Sequence, residues 1–206
     1  MKLDVQQVLN WLEKTNEKIQ MNKEYLTSLD RAIGDGDHGI NMSRGFQEAI
    51  DKTTTTTYIS VSDVLKDVAM TLISKVGGAS GPLYGTAFLK MSMVVKNREL
   101  IDKKTLENAL ESALEGILQR GKAQLNDKTL VDVWTPVVDL LKAKEVIKGS
   151  ELEEVAKNAM ESTKERMAKK GRAAYLKERS IGHLDPGSVS SYYLFASLAE
   201  VLSEEE

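Results

Sequence analysis

The sequence predicts an all-α protein of about eight helices in one domain spanning residues 1–206. Three observations lead there. Apolar residues recur at helical spacing in several long windows. The one run of strand-like composition has no second run to pair with. The breaks between windows are rich in glycine and polar residues, as helix-to-helix reversals require.

The elements follow in chain order. Residues 3–29 form a long candidate helix with Leu3, Val8, Leu12, Ile19, Leu26 and Leu29 inward, and a second helix is expected over 40–52. In 61–76, Val61, Val64, Leu65, Val68, Ala69, Leu72, Ile73 and Val76 make an i, i+3, i+4, i+7 stripe, with Ser60 or Ser62 and Asp63 available as caps. The helix over 82–97 opens with Pro82, which suits a first turn because its missing N–H has no intrahelical partner there. Leu106, Ala109, Leu110, Ala113, Leu114, Ile117 and Leu118 repeat the stripe behind a Thr105 cap, and a helix over 130–143 follows. Leu152, Val155, Ala156, Ala159, Met160 and Met167 repeat it again, and a last helix is expected over 188–202, capped by Ser188. Gly121, Gly149 and Gly171 mark ends or bends. The β-branched run "TTTTTYISV" (53–61) favours extended backbone but stands alone, so it reads as a loop. Ser203–Glu206 reads as a solvated acidic tail.

Composition narrows the function. With 41% apolar and 29% charged residues, the chain can bury a core, and a net charge of −3 gives no footprint for nucleic acid or a membrane surface. Cysteine is absent, which excludes disulfides, thiolate catalysis and cysteine-ligated zinc, and fits a reducing compartment. The start "MKLDVQQVLNWLEKTNEK" has no apolar signal core, and no run approaches the ~20 residues of a membrane span. The expectation is a cytoplasmic protein.

Four connections carry the polar and glycine clusters: 30–41, 74–86, 121–132 and 179–190. In an up-and-down helical barrel, alternate connections fall at the same end, so these four would converge on one rim. In the first, Asp30, Asp35 and Asp37 offer hard carboxylate oxygens suited to magnesium or calcium, and Gly34 and Gly36 permit the bend that aims them inward. A calcium EF-hand fails, because the position of its bidentate glutamate falls on Phe46 counted from Asp35 and on Asn41 counted from Asp30. Magnesium keeps waters and completes its octahedron with substrate phosphates, so a few carboxylates without a full cage point to a metal bound together with a nucleotide.

In the second, Gly77, Gly78 and Gly81 let backbone N–H groups approach an anion, the following helix adds its positive end, and the Ser80 hydroxyl sits beside Ala79. Neither a Walker A ending nor a preceding strand is present. In the third, Asp127 or Thr129 either caps the next helix or serves a ligand; composition leaves both open. In the fourth, Asp185-Pro186-Gly187 forms a turn. His38 and His183 each lie in a glycine-containing loop, and Arg172 and Arg179 are available to neutralise phosphate or simply to solvate a helix.

The stretches "GDGDHGINM" (34–42), "GGASGPLYGT" (77–86), "GKAQLNDKTLVD" (121–132) and "RSIGHLDPG" (179–187) together resemble the DhaL family, the nucleotide-binding subunits of bacterial dihydroxyacetone kinase. The resemblance spans most of the chain in family order; many relatives have Met where Leu130 stands, a swap that conserves volume. It implies a single-domain antiparallel eight-helix up-and-down barrel with the nucleotide at one end. It implies two magnesium ions on Asp30, Asp35 and Asp37. It also implies tightly held ADP or ATP contacted by His38, Gly39, Ile40, Asn41, Ala79, Ser80, Gly121, Thr129, Leu130, Arg179, Asp185, Pro186 and Gly187.

The activity implied is that of a phosphotransferase with an alcohol-group acceptor. In the split form of this kinase, which a chain of 206 residues matches, ADP stays bound and is rephosphorylated by a phosphohistidine protein of the phosphotransferase system, a DhaM-like donor. The γ-phosphoryl then passes to dihydroxyacetone held by a DhaK-like partner. His38 is expected to position phosphate or ribose rather than carry a phosphoryl group. The alternatives are a related kinase with another acceptor, such as a fatty acid, and a nucleotide-state-dependent regulator of a transcription factor. A homodimer is compatible with either.

Overall fold

A computed structural model describes residues 2–204. The last two residues of the expected acidic tail lie outside them; Ser203 ends the final helix, and Glu204 pairs with Lys14 at 3.2 Å.

Nine α-helices occur among the described residues: α1 Val5–Met21, α2 Lys23–Ile33, α3 His38–Thr54, α4 Val61–Lys75, α5 Ser80–Val94, α6 Lys103–Gly121, α7 Val131–Ala143, α8 Gly149–Ser162 and α9 Pro186–Ser203. The periodic stripes lie inside them. The long helix expected over 3–29 is two helices. At Asn22 the side-chain amide donates to the Lys18 carbonyl at 2.8 Å and the backbone N–H to the same oxygen at 3.1 Å, which competes with the regular ladder. The stripe over 152–167 stops at Ser162; two short 3-10 segments, Thr163–Glu165 and Arg172–Ser180, carry the chain onward, and Met167 is exposed.

Several caps differ from expectation. Asp102, not Thr105, caps α6 by accepting the Thr105 N–H at 2.8 Å, and Asp185, not Ser188, caps α9 by accepting the Ser188 N–H at 2.6 Å. Ser60 caps α4 as expected, and Pro82 sits in the first turn of α5. Leu130, at the start of α7, makes no side-chain cap; Thr129, one of the two expected caps, accepts the Val131 N–H on its hydroxyl at 3.2 Å, and Asp132 accepts the Thr129 N–H from within the first turn.

The all-α expectation misses one feature. β1 (Lys2–Asp4) and β2 (Leu100–Asp102) form a two-stranded antiparallel ladder with Leu3 opposite Ile101, both buried. Residues 55–60 of the threonine-rich run form the expected loop.

Helices that follow one another in sequence pack side by side from α2 through α9, and α9 returns to α1, which also packs on α3. The core between them is filled by large side chains, Trp11 against Phe88 with ring centroids 6.0 Å apart and Trp134 edge-on to Phe195 at 4.9 Å. α9 is apolar or small nearly all round and buries most of its residues, as a helix enclosed by neighbours must. The consequence for function is topological. The connections after α2, α4, α6 and α8 all border one cavity of about 480 Å³.

Candidate functional site

The floor of the cavity is the α2–α3 connection. Asp30, in the last turn of α2, is buried and accepts the backbone N–H groups of Asp37 at 2.8 Å and His38 at 3.0 Å. Those are the donors that the start of α3 would otherwise leave unpaired. A Cβ on Gly34 would lie 2.0 Å from an Asp30 carboxylate oxygen, and Gly36 turns the chain at φ +76°, so both positions demand glycine. The result brings one oxygen each of Asp30, Asp35 and Asp37 within 4.8 Å of one another. Three hard oxygen donors at that spacing fit a divalent cation such as magnesium. The positive charge beside them is Arg172, whose Nε lies 2.8 Å from an Asp35 oxygen.

The second wall is the glycine connection. Gly78 has φ +65°, and no side chain caps the N-terminus of α5, so its first amides remain available to an anion. Asn41 lies against Gly77, where a Cβ would meet the amide at 2.8 Å, and Arg44 donates to Asn41 Oδ1 at 2.8 Å and to the Lys75 carbonyl at 2.9 Å. These contacts lock α3 to the glycine connection.

His38 is buried between the two walls. Its Nδ1 lies 3.1 Å from Ser80 Oγ and its Nε2 2.9 Å from Ser190 Oγ. Burial lowers its pKa to about 4, against the pull of the Asp30 and Asp35 charges and the Pro186 carbonyl, so the ring is neutral near pH 7.

The remaining walls come from the α6–α7 and α8–α9 connections. Leu83, Ile117, Ala123, Leu130 and Val131 form an apolar side, with Gly121 and Thr129 beside it. Lys128 is fully buried and donates from Nζ to the carbonyls of Arg166 at 3.1 Å and Ser180 at 2.5 Å; desolvation lowers its pKa. Asp132 is buried and accepts from the backbone N–H groups of Asn126 and Thr129, each at 2.7 Å, and from the Arg166 guanidinium at 2.5 Å. Asp127 accepts the Gln124 N–H at 2.8 Å and so closes its own turn. Burial pushes Asp185 up to about 7, although its hydrogen bonds from Ser188 and the Lys128 charge oppose this.

Of the residues expected at the site, Asp30, Asp35, Asp37, His38, Asn41, Ala79, Ser80, Gly121, Thr129, Leu130, Asp185, Pro186 and Gly187 border the cavity. Three are placed elsewhere. Gly39 is a contact between helices, where a Cβ would lie 2.2 Å from the Lys23 carbonyl. Ile40 points outward and is 44% exposed, and Arg179 is exposed and away from the cavity wall. Sequence reasoning missed Arg120 and Lys170 on the wall, took Lys128 and Gly171 only as parts of their connections, and left Arg172 without a place. The "KKGR" run (169–172) was the available signal, since its glycine sits at φ +67° and turns the basic residues toward the acidic loop.

Residues 32–200 match the family described as DAK2 domain. The chain is 48% identical over 200 residues to a Listeria innocua protein called PEP-dependent dihydroxyacetone kinase 1, ADP-binding subunit DhaL, covering 97% of this chain and 98% of that protein. It is 40% identical over 210 residues to the corresponding Escherichia coli ADP-binding subunit, covering 99% and 100%. The crystal structure of the dihydroxyacetone kinase from C. freundii in complex with AMP-PNP and Mg2+ shares the fold at a TM-score of 0.74 and 20% identity, over 97% of this chain and 34% of that one.

Proposed function

The chain belongs to the DAK2-domain family and, within it, to the DhaL subunits, and from that premise we propose that it is the ADP-binding subunit of a phosphoenolpyruvate-dependent dihydroxyacetone kinase, a phosphotransferase. The observation that carries the reading is the meeting, in one cavity of about 480 Å³, of a three-carboxylate cluster with a glycine connection and an uncapped helix N-terminus. A volume of that order suits a small-molecule ligand.

Asp30, Asp35 and Asp37 are the residues that would hold two magnesium ions. When bound, such ions neutralise and align phosphate oxygens, which is most of what phosphoryl transfer asks of a protein. The amides at the start of α5, with Ser80 and Asn41, receive the phosphates. Arg172, already paired with an acidic side chain, stands where it can neutralise phosphate, a role the sequence had offered equally to Arg179. Gly121, Thr129 and Leu130 flank the base, and Asp185, Pro186 and Gly187 close the purine side. Gly39 acts by packing α3 against α2 rather than by contact, and Ile40, which points outward, takes no part. His38, neutral and held by two hydroxyls, orients the phosphate-binding wall and carries no phosphoryl group.

In this reading residues 1–206 act as one domain, an eight-helix barrel in which α1 and α2 count as one broken helix, with the nucleotide at one end. A phosphohistidine donor of the DhaM type rephosphorylates the bound ADP, and the γ-phosphoryl passes to dihydroxyacetone on a DhaK-like partner. Such partners place the chain in the cytoplasm; no described helix is long and apolar enough to cross a membrane. The acyl-acceptor alternative requires an open apolar interior, and here Trp11, Phe88, Trp134 and Phe195 fill it.

Mass measurement of the purified chain under native conditions tests the proposal. One ADP and two magnesium ions per chain are expected to survive. An empty chain that binds ADP only at millimolar concentration would overturn it.

A further inference from the structure

Behind the cavity a file of buried polar groups crosses four helices: Trp134 on α7, Ser191 and Ser190 on α9, Tyr84 on α5, and finally His38 on α3. Resting on the nucleotide-binding reading, we propose that Tyr84 and Ser190, backed by Ser191 and Trp134, are positioning residues that fix His38 as the Nδ1–H tautomer and thereby turn the Ser80 hydroxyl into a donor toward bound phosphate.

The direction of the file follows from donor and acceptor bookkeeping. The indole N–H of Trp134 can only donate, so Ser191 Oγ, 3.1 Å away, accepts. The Ser191 hydroxyl then has Tyr84 Oη at 2.7 Å as its acceptor. With Ser191 as the donor to it, the Tyr84 hydroxyl has two acceptors left, and Ser190 Oγ at 2.8 Å is nearer than the Gly187 carbonyl at 3.2 Å. The Ser190 hydroxyl likewise has His38 Nε2 at 2.9 Å nearer than the Gly187 carbonyl at 3.1 Å. With the Ser191 proton on Tyr84 and each later hydroxyl on the nearer of its remaining acceptors, Nε2 accepts. The ring proton is then on Nδ1, which donates to Ser80 Oγ at 3.1 Å. That leaves the Ser80 proton free on a side chain that borders the cavity. The opposite polarity would spend the Ser80 proton on Nδ1 and turn oxygen lone pairs toward an anion, which repels it.

The chain contains only two histidines, and His183 is exposed, so the ring nitrogens of His38 are assigned by elimination in a long-range 1H–15N spectrum. Nucleotide-free protein is expected to show His38 as a pure Nδ1–H tautomer, with His183 averaged as internal reference. Tyr84→Phe removes one hydroxyl and keeps the ring that stands edge-on to Phe46. Ser190→Ala removes the direct partner. Both are expected to shift His38 toward a mixed pattern with unchanged helicity, and Ser190→Thr to restore the pure one. Titration with ADP and magnesium is expected to weaken about fivefold in Ser190→Ala, the loss of roughly one neutral hydrogen bond, and Ser80→Ala on top of it to add less than it does alone. An Nε2–H pattern in the unaltered chain, with Nε2 donating to Ser190 or Pro186, would overturn the assignment. So would a His38 pattern unmoved in both variants. If the unaltered chain failed to bind ADP, the nucleotide reading would fall, and with it the role given to Ser80, while the tautomer spectrum would still decide the rest.

Discussion

Asp35 is the most exposed of the three clustered carboxylates and carries the one ion pair to Arg172, so its removal tests the cluster with little risk to the fold. Losing an outer partner of a metal-binding side chain costs roughly 10–100-fold in affinity, and losing a ligand costs more. Asp35→Ala is therefore expected to abolish magnesium-dependent ADP binding by calorimetry while the circular dichroism of the helices is unchanged; retained affinity would break the coupling of metal and nucleotide. The aspartates were legible from sequence because hard oxygens between glycines have few other uses at that density. The arginine was not. Which of Arg172 and Arg179 faces the acidic loop depends on the path of the 3-10 segment between them, and that path turns at Lys177, a non-glycine residue at φ 51°. Lys128 was illegible for a different reason. A buried ammonium is rare, and it is tolerated here only because two carbonyls from a segment about forty to fifty residues away in sequence meet it.

At the level of elements, the α6–α7 and α8–α9 connections behave as one body. Lys128 bonds two carbonyls of the second, Asp132 pairs with Arg166, the Lys169 N–H donates to the Asp127 carbonyl at 3.0 Å, and Ser188 Oγ donates to the Thr129 carbonyl at 2.7 Å. Lys128→Met keeps the apolar stem and removes the charge, leaving both carbonyls without their donor. A loss of about 1–3 kcal/mol in chemical denaturation is expected. Amide exchange should quicken over 163–185, with faster ADP release; unchanged exchange there would separate the two connections. Helix positions were readable because the stripes are long. The two misplaced caps share one cause. Thr105 and Ser188 each lie three residues after the true cap, and their N–H groups receive the bond that their own hydroxyls were expected to make. The β1–β2 ladder was unreadable because its strands have three residues each and lie almost a hundred positions apart, too short for any period to register.

For the molecule as a whole, binding and protonation both act on stability. Nucleotide with magnesium at a hundred times its dissociation constant adds about 2.7 kcal/mol, which for a chain of this length raises the unfolding midpoint by roughly 5–10 °C. Magnesium alone or ADP alone is expected to give much less, and equal shifts from each alone would contradict a shared site. The pH dependence is sharper because one half-buried acid on the cavity wall stands out. Asp185 has a folded pKa near 7 against an ordinary 3.8, so between those values the native chain holds a proton that the unfolded chain has released. Stability then changes with pH as the protons bound unfolded minus those bound folded, which is negative, so this group makes the protein less stable as pH rises from about 3.8 to 7. The full shift would correspond to a loss on the order of 4 kcal/mol, with the Ser188 cap working against it. Asp185→Asn retains a capping side chain without the titration. The difference in unfolding free energy between the two proteins cancels every other titrating group. It is expected to be small at pH 4, to grow in favour of the asparagine variant up to about pH 7, and to level beyond. A flat difference across that range would mean that Asp185 ionises normally, with its carboxylate satisfied by the α9 amides, and that this side of the cavity is already negatively charged before any nucleotide arrives.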